Sequence, residues 1–159
     1  NNLILGTDGP TLVSSLHFTT SYSVADYNGY RPNKGPNSPE NQFRWLNQDG
    51  ESVEFRTLKN FSKASGLEEH GIIMDYDVFE ELKKPDHALE YGLPSPVYHA
   101  VDLNFKLNPR GKAVDAGVVI PNVSDGFNGK APDLGAIEVG SDPVIYGVRG
   151  LDPDQEFYR

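Results

Sequence analysis

The 159-residue chain contains no cysteine, which excludes disulfide frameworks, zinc–thiolate sites and cysteine nucleophiles. It also lacks a basic cluster, since 14 lysines and arginines stand against 23 acidic residues and the net charge is −9. Binding to nucleic acid or to an anionic membrane surface needs the opposite charge. The longest apolar run, residues 116–120, is too short to span a bilayer. We therefore expect neither a nucleic-acid partner nor membrane insertion.

Motifs for nucleotides and for serine nucleophiles are missing as well. The sequence has no Walker loop, no GxGxxG turn and no GxSxG elbow, so it supports no nucleotide cofactor and no serine hydrolase. Its 16 glycines and 12 prolines are a smaller share than low-complexity chains carry. The composition therefore allows a folded core, assembled from short apolar stretches between turns.

Hydrophobic periodicity predicts several strands and one helix. Apolar side chains recur mainly at even positions over residues 12–24 and at odd positions over residues 97–107, which is typical of strands. A short strand is predicted at residues 71–74, and an irregular loop at residues 31–50. Residues 57–65 are predicted to form a helix, with Thr57 as N-cap and Gly66 as the C-terminal stop. Short strands, one helix and long polar loops indicate a mainly β architecture.

The two ends of the chain carry expectations of their own. The opening residues Leu3, Ile4, Leu5 and Gly6 are typical of the middle of a strand, so we expect a processed or partial chain with an upstream portion. Residues 141–159 contain too few apolar groups to fold alone, and we expect this tail to extend along a neighbour.

Three segments, in this order, share a further pattern: SVADYNGY at residues 23–30; TLKNF, SG, His70 and Asp75 within residues 57–75; and DLNFKL, AVDAG and DLGAIE within residues 102–138. They resemble the SDYNxY turn, the sLxxwxxxTGxxxHSxxxDPxF segment and the DFRLxxxSPAIDAG…DIGAYE tail of secreted bacterial right-handed parallel β-helix proteins of the pectate-lyase-like kind. Phe61 stands where that family usually has Trp, Gly71 where it has Ser, and Tyr76 where it has Pro.

This resemblance implies a mainly β fold, the end of a right-handed parallel β-helix solenoid with a loop-rich cap containing one short helix. Residues 1–25 would form the last rungs, residues 26–140 the cap, and residues 141–159 an extended tail. A terminal rung would otherwise expose apolar faces and unpaired backbone, which is the physical reason for a cap.

Proteins of this family are mainly exported polysaccharide lyases, glycoside hydrolases and adhesin-like surface proteins. The resemblance therefore implies a secreted, periplasmic or cell-surface protein, whose partners are a polysaccharide and the remainder of a longer β-helix chain. The family's catalytic groups usually lie on central rungs, so most of them would precede residue 1. Polysaccharide lyase, glycoside hydrolase and non-catalytic carbohydrate-binding protein remain open as functions.

Three carboxylates are candidate calcium ligands: Asp115, Asp125 and Asp133, with Glu138 nearby in sequence. Calcium takes six to eight hard oxygen ligands, which carboxylates and carbonyls of glycine-rich turns can supply. Their spacing matches no EF-hand or nonapeptide pattern, however. The alternative, which we favour, is that Asp115 and Asp133 accept backbone N–H groups and hold the glycine-rich loops in register.

His70 and Asp75 are the candidate catalytic residues, because a carboxylate can orient an imidazole and raise its pKa. Both belong to a motif shared by family members of varied activity, which favours a packing or hydrogen-bonding role instead.

Aromatic and arginine side chains flanking the loop are the candidate glycan contacts, since sugar rings stack on aromatic planes and arginine binds hydroxyls or carboxylates. These residues are Tyr27, Tyr30, Arg31, Arg44 and Trp45. The alternative is that the aromatic rings simply fill the core of the cap.

Overall fold

The structure, a computed structural model, describes residues 1–17, 22–85 and 104–141. These residues form a mainly β fold with one short helix, and its strands are β1 (Leu3–Leu5), β2 (Ser14–His17), β3 (Gly29–Arg31), β4 (Phe43–Leu46), β5 (Ser52–Phe55) and β6 (Ile72–Ile73). The helix α1 spans Leu58–Ser65, and a 3₁₀ turn spans Tyr76–Val78. Across the described ranges, no helix has the length and apolar character needed to cross a membrane.

The strands form two three-stranded sheets in which parallel pairing dominates. The first sheet has the order β1-β3-β6 and is entirely parallel, with Leu3 opposite Gly29 and Gly29 opposite Ile72. In the second sheet β2 pairs with β4 in parallel, and β5 closes the sheet on the other side of β4 in an antiparallel hairpin. Two successive passes of the chain, β1–β2 and β3–β4, therefore stack in the same direction.

The space between the two sheets is filled by an aromatic core. Tyr30, Phe43, Leu58 and Phe61 are all buried, and the Phe43 ring lies 5.4 Å from the Tyr30 ring and 5.8 Å from the Phe61 ring, between centroids. Ile4, Leu16 and Trp45 pack around this cluster. Ring pairs at such distances add to the stabilisation that burial itself provides. Helix α1 therefore covers this core with its apolar face.

The first sheet is covered on its other face too. Leu3 and Leu5 pack against a second cluster that includes Met74, Phe79 and Leu107, whereas Ile4 faces the aromatic core. Successive side chains of a strand point to opposite faces, so this division follows from the pleat. Parallel sheets are usually buried on both faces, and the central strand β3 is buried throughout, whereas Ile73 in the edge strand β6 is 43% exposed.

Helix α1 lies where the sequence predicts it, because its signals are local. The Thr57 hydroxyl accepts a hydrogen bond from the Asn60 N–H at 3.2 Å, and Gly66 ends the helix in the left-handed conformation with φ of 71°. Leu58 and Phe61 form its buried face. Strand β6 likewise falls within the predicted residues 71–74.

Other predictions of local structure are only partly matched. Strand β2 lies in the first half of the strand predicted at residues 12–24, and residues 18–21 are outside the described residues. Tyr22 and Val24 are 91% and 81% exposed, so the predicted apolar face does not extend to these two side chains. Of the strand predicted at residues 97–107, residues 97–103 are outside the described ranges, and Leu107 forms an isolated bridge with Phe79. Within the tail, residues 142–159 are likewise not described.

The predicted irregular loop at residues 31–50 is wrong in part. Arg31 belongs to β3, and Phe43–Leu46 form β4, the central strand of the second sheet. Strand β4 was not predicted because its alternation covers only four residues. Its position is set by pairing with β2, which precedes it by 29 residues at the Ser14–Phe43 pair.

Candidate functional site

Polar side chains form a column at the start of the first-sheet strands. The Asn2 amide donates to Asn28 Oδ1 at 2.9 Å, the Asn28 amide donates to Glu68 Oε1 at 2.7 Å, and the Tyr30 hydroxyl donates to the same Glu68 oxygen at 2.8 Å. Glu68 is only 2% exposed. Burial, and then the neighbouring Glu68 carboxyl, raise the pKa of Tyr30 far above its ordinary value. We name Asn2, Asn28 and Glu68 the amide column.

A charged cluster lies at the other end of the same strands. The buried Arg31 guanidinium donates from Nε to Asp75 at 2.6 Å and from Nη1 to Asp8 at 2.7 Å and to the Gly6 carbonyl at 2.6 Å. The hydrogen bonds from Arg31 hold the pKa of Asp8 well below its usual range. Burial opposes the same change at Asp75, but the Tyr76 N–H and Arg31 still lower the pKa of that carboxyl. Both groups are therefore carboxylates at neutral pH, which makes them poor general acids.

His70 pairs with Asp26 and not with Asp75. Its Nδ1 lies 2.8 Å from Asp26 Oδ2, while the other oxygen of Asp26 accepts the backbone N–H groups of His70 at 2.7 Å and of Tyr27 at 2.9 Å. The Tyr27 ring stacks on the imidazole, with centroids 4.4 Å apart and planes 10° apart. The hydrogen bond to Asp26 raises the pKa of His70, whose side chain is 53% exposed. Asp75 is taken by Arg31 instead.

The candidate calcium ligands hold backbone N–H groups. Asp133 accepts from the N–H of Asp115 and of Val139, both at 2.8 Å, and Asp115 accepts from the N–H of Lys130 at 2.6 Å. The N–H groups of Lys130 and then of Ala131, which both donate to Asp115, lower the pKa of this carboxyl. Glu138 in turn accepts from the Asp133 N–H at 2.8 Å. These contacts are those of the loop-holding alternative.

Asp125 is engaged separately, accepting the Asn122 N–H at 2.9 Å. In the part of the chain that the structure describes, no three acidic or histidine side chains come together as a metal site would require. The geometry of the described residues therefore supplies no positive support for calcium.

The five candidate glycan contacts do not share one surface. Tyr30 and Arg31 are buried, with exposures of 1% and 5%, and Trp45 is half-buried against the aromatic core. Arg44 lies on the opposite face of β4, where its Nε donates to Ser15 Oγ at 2.9 Å. Tyr27 lies under His70. The alternative, that aromatic rings fill the core, holds for Tyr30 and Phe43 and in part for Trp45.

A cavity of about 1170 Å³ lies beside β1. Its lining is mostly apolar and includes Leu3, Leu5, Phe79 and Phe105, with Glu138 among its few polar residues. Such a surface suits packing against an apolar segment better than binding a hydroxyl-rich sugar.

Comparison of the chain with descriptions of protein families, with curated proteins and with solved structures found no match. The resemblance of the three segments to parallel β-helix proteins therefore rests on their residues. Those residues contact one another in the structure: Asp26 and Asn28 of the first segment bind His70 and Glu68 of the second.

Sequence reasoning missed Asp8, Asp26 and Glu68. Asp26 and Asn28 stand in the turn-forming DYN run, whose signal is only local, and their partners follow more than 35 residues later. Buried acidic residues such as Glu68 are rare, and nothing in the residues around it distinguishes it from the exposed Glu69.

Proposed function

We propose that the chain is the C-terminal closing segment of an exported right-handed parallel β-helix protein that binds and degrades a polysaccharide. The observation that carries the proposal is the parallel stacking of β1 on β3 and of β2 on β4. Parallel strands contributed alternately to two sheets by successive passes of the chain are what a solenoid would produce. Stacked parallel pairing continues to β6, so in this proposal the last rung ends near Ile73 and not at residue 25.

Features at one end of the stack suit a cap. Strand β5 runs antiparallel to β4, β6 has only two residues, and α1 packs on both β4 and β5. Each of these interrupts further parallel addition at that end. A solenoid needs such an ending because an uncovered last rung would present unpaired backbone groups.

Side chains that remain accessible are the proposed glycan contacts of this segment. Arg44 lies on the outer face of the second sheet, and Tyr27 and Trp45 are half-buried. Arginine bound at Nε still has further N–H groups for sugar hydroxyls or carboxylates. Tyr30 and Arg31 are buried and are not proposed to touch the sugar.

The test is binding and turnover with a panel of acidic and neutral polysaccharides. Affinity electrophoresis measures binding, and assays for new reducing ends and for unsaturated sugar products separate hydrolase from lyase chemistry. We expect Arg44→Ala to weaken binding severalfold, whereas Lys59→Ala, which removes an exposed cation on α1, leaves it unchanged. Absence of binding to every polysaccharide would contradict the proposal.

The second candidate is a non-catalytic cell-surface or carbohydrate-binding protein of the same architecture. It is favoured by the engagement of the described carboxylates, since Asp8, Asp75, Asp115 and Asp133 each hold an arginine or a backbone N–H group. Because most catalytic groups of the proposed enzyme would precede residue 1, turnover is measured on the longer protein, where binding without release of any sugar product would favour this candidate over the enzyme.

A further inference from the structure

The dipeptide Asn-Gly occurs at residues 28–29 and again at residues 128–129. In this dipeptide the backbone nitrogen of glycine can attack the side-chain carbonyl carbon of asparagine, because glycine has no Cβ to hinder the approach. A new C–N bond closes a succinimide ring, the side-chain amide bond breaks, and the amide nitrogen leaves as ammonia with the proton of the glycine N–H. Water then opens the ring at either carbonyl, which yields aspartate or isoaspartate. The two copies of this reactive dipeptide are therefore distinguished by their surroundings in the fold.

The fold engages both reacting groups of the first copy. Asn28 is 6% exposed, and its side-chain amide donates to Glu68 Oε1 at 2.7 Å while its Oδ1 accepts from the Asn2 amide at 2.9 Å. The Gly29 N–H donates to the Asn2 carbonyl at 2.7 Å. The attacking nitrogen and the leaving group are both hydrogen-bonded, so ring closure at this copy first requires these bonds to break.

The second copy, Asn128–Gly129, is exposed. Among the described residues, nothing accepts the Gly129 N–H and nothing donates to Asn128 Oδ1. The Asn128 side chain is held through its leaving group alone, since Nδ2 donates to Ser141 Oγ at 2.9 Å and to the Val139 carbonyl at 3.4 Å. The attacking nitrogen and the carbon that it attacks are therefore both available.

The loop itself requires glycine after Asn128. Gly129 has a φ of 105°, and a Cβ at this position would clash with Asp115 Oδ1. That oxygen accepts the N–H groups of Lys130 at 2.6 Å and of Ala131 at 3.2 Å. The close approach that holds the loop thus fixes the residue that makes Asn128 reactive.

We propose that Asn128 is a site of spontaneous deamidation, whereas the fold protects Asn28 from the same reaction. The product carries a carboxylate, which cannot donate to the Val139 carbonyl. Its isoaspartate form also lengthens the backbone by one carbon, directly before the N–H groups that Asp115 accepts. Conversion therefore loosens the tie between this loop and the turn at residues 138–141. This inference does not depend on the proposed solenoid or on its activity.

The experiment incubates the natural chain in mildly alkaline buffer and follows both dipeptides by peptide mass spectrometry, which separates amide from acid by mass. In the folded protein we expect Asn128 to convert about tenfold faster than Asn28 or more, because the two hydrogen bonds that must open at Asn28–Gly29 each slow the reaction by about fivefold. In urea both copies lose their contacts, and the two rates should become similar. Asn128→Gln keeps a side-chain amide but needs a larger ring to react, so it should abolish conversion at position 128 and leave Asn28 unchanged.

Equal conversion of the two copies in the folded protein, or conversion of Asn128 in urea only, would overturn the inference. Trp45 fluorescence shows that the chain stays folded during the incubation. The loosening is tested by Asn128→Asp, which makes the aspartate product directly and should shift the NMR amide resonances of Val139 and Ser141 more than those of β1. Unchanged resonances at these two residues would contradict the effect on the turn.

Discussion

Replacing Glu68 by alanine should destabilise the fold strongly. The substitution removes the acceptor for two buried donors, the Asn28 amide at 2.7 Å and the Tyr30 hydroxyl at 2.8 Å. Asn28 and Tyr30 are 6% and 1% exposed, so both donors are shielded from bulk water. Each stranded donor costs about 1–3 kcal/mol, which gives a loss of about 2–6 kcal/mol in the free energy of unfolding. That is a large share of the about 5–15 kcal/mol typical of a domain.

Urea unfolding followed by the fluorescence of Trp45 measures this loss. Trp45 is the single tryptophan and packs against the aromatic core that contains Tyr30. Glu69→Ala is the matched control, because Glu69 is the exposed neighbour of the same type and should change stability by less than about 0.5 kcal/mol. Equal effects of the two substitutions would refute the structural role of the amide column.

A double-mutant cycle assigns part of that loss to one contact. Tyr30→Phe removes the hydroxyl and keeps the ring, and should cost about 0.5–3 kcal/mol. In the Glu68→Ala background the same change should cost less, because the hydroxyl has already lost its acceptor. Additive effects would show that the Tyr30–Glu68 contact is not made in solution.

Other regions of the fold give three more expected outcomes. Thr57→Ala should lower the free energy of unfolding by about 1 kcal/mol and Thr57→Ser should largely restore it in urea titrations, whereas equal stabilities would contradict the N-cap. NMR titration should place the pKa of His70 above its ordinary value of 6.5, and Asp26→Asn should return it toward that value. Because the pKa of His70 is higher in the folded than in the unfolded protein, the stabilisation from the His70–Asp26 pair is complete below pH 6.5 and declines as the pH rises through the folded pKa. If Asp26→Asn left the pH dependence of the free energy of unfolding unchanged over that range, this pairing would be contradicted. Asp133→Ala leaves the backbone N–H groups of Asp115 and Val139 without their acceptor and should lower the free energy of unfolding by about 2–6 kcal/mol in urea titrations. A loss under about 1 kcal/mol would contradict the loop-holding role of Asp133.

Local signals allowed some elements to be predicted from the sequence. Helix α1 is specified by Thr57 and Gly66, residues whose capping chemistry acts within one turn. The loop-holding role of Asp133 could be anticipated for a similar reason, because glycine-rich loops leave N–H groups that a nearby carboxylate accepts.

Contacts between distant residues explain what the sequence did not reveal. Turn-forming residues surround Tyr30, yet it lies in the central strand of the first sheet because β1 and β6 pair on either side. Closeness in sequence favours Asp75 as the carboxylate partner of His70. The fold instead brings Asp26, 44 residues earlier, to His70 and brings Arg31 to Asp75. The stacking of successive passes of the chain determines which side chains pair, and no local sequence pattern indicates this stacking.

The central claim is that successive passes of the chain stack in parallel, and solution NMR tests it most directly. Interstrand nuclear Overhauser effects among β1, β3 and β6 should connect Leu3 with Gly29 and Gly29 with Ile72, and amide exchange should be slow at Ile4 in β1. Antiparallel connectivities between β1 and β3, or no contact between these strands, would contradict the parallel stack and the solenoid proposed from it.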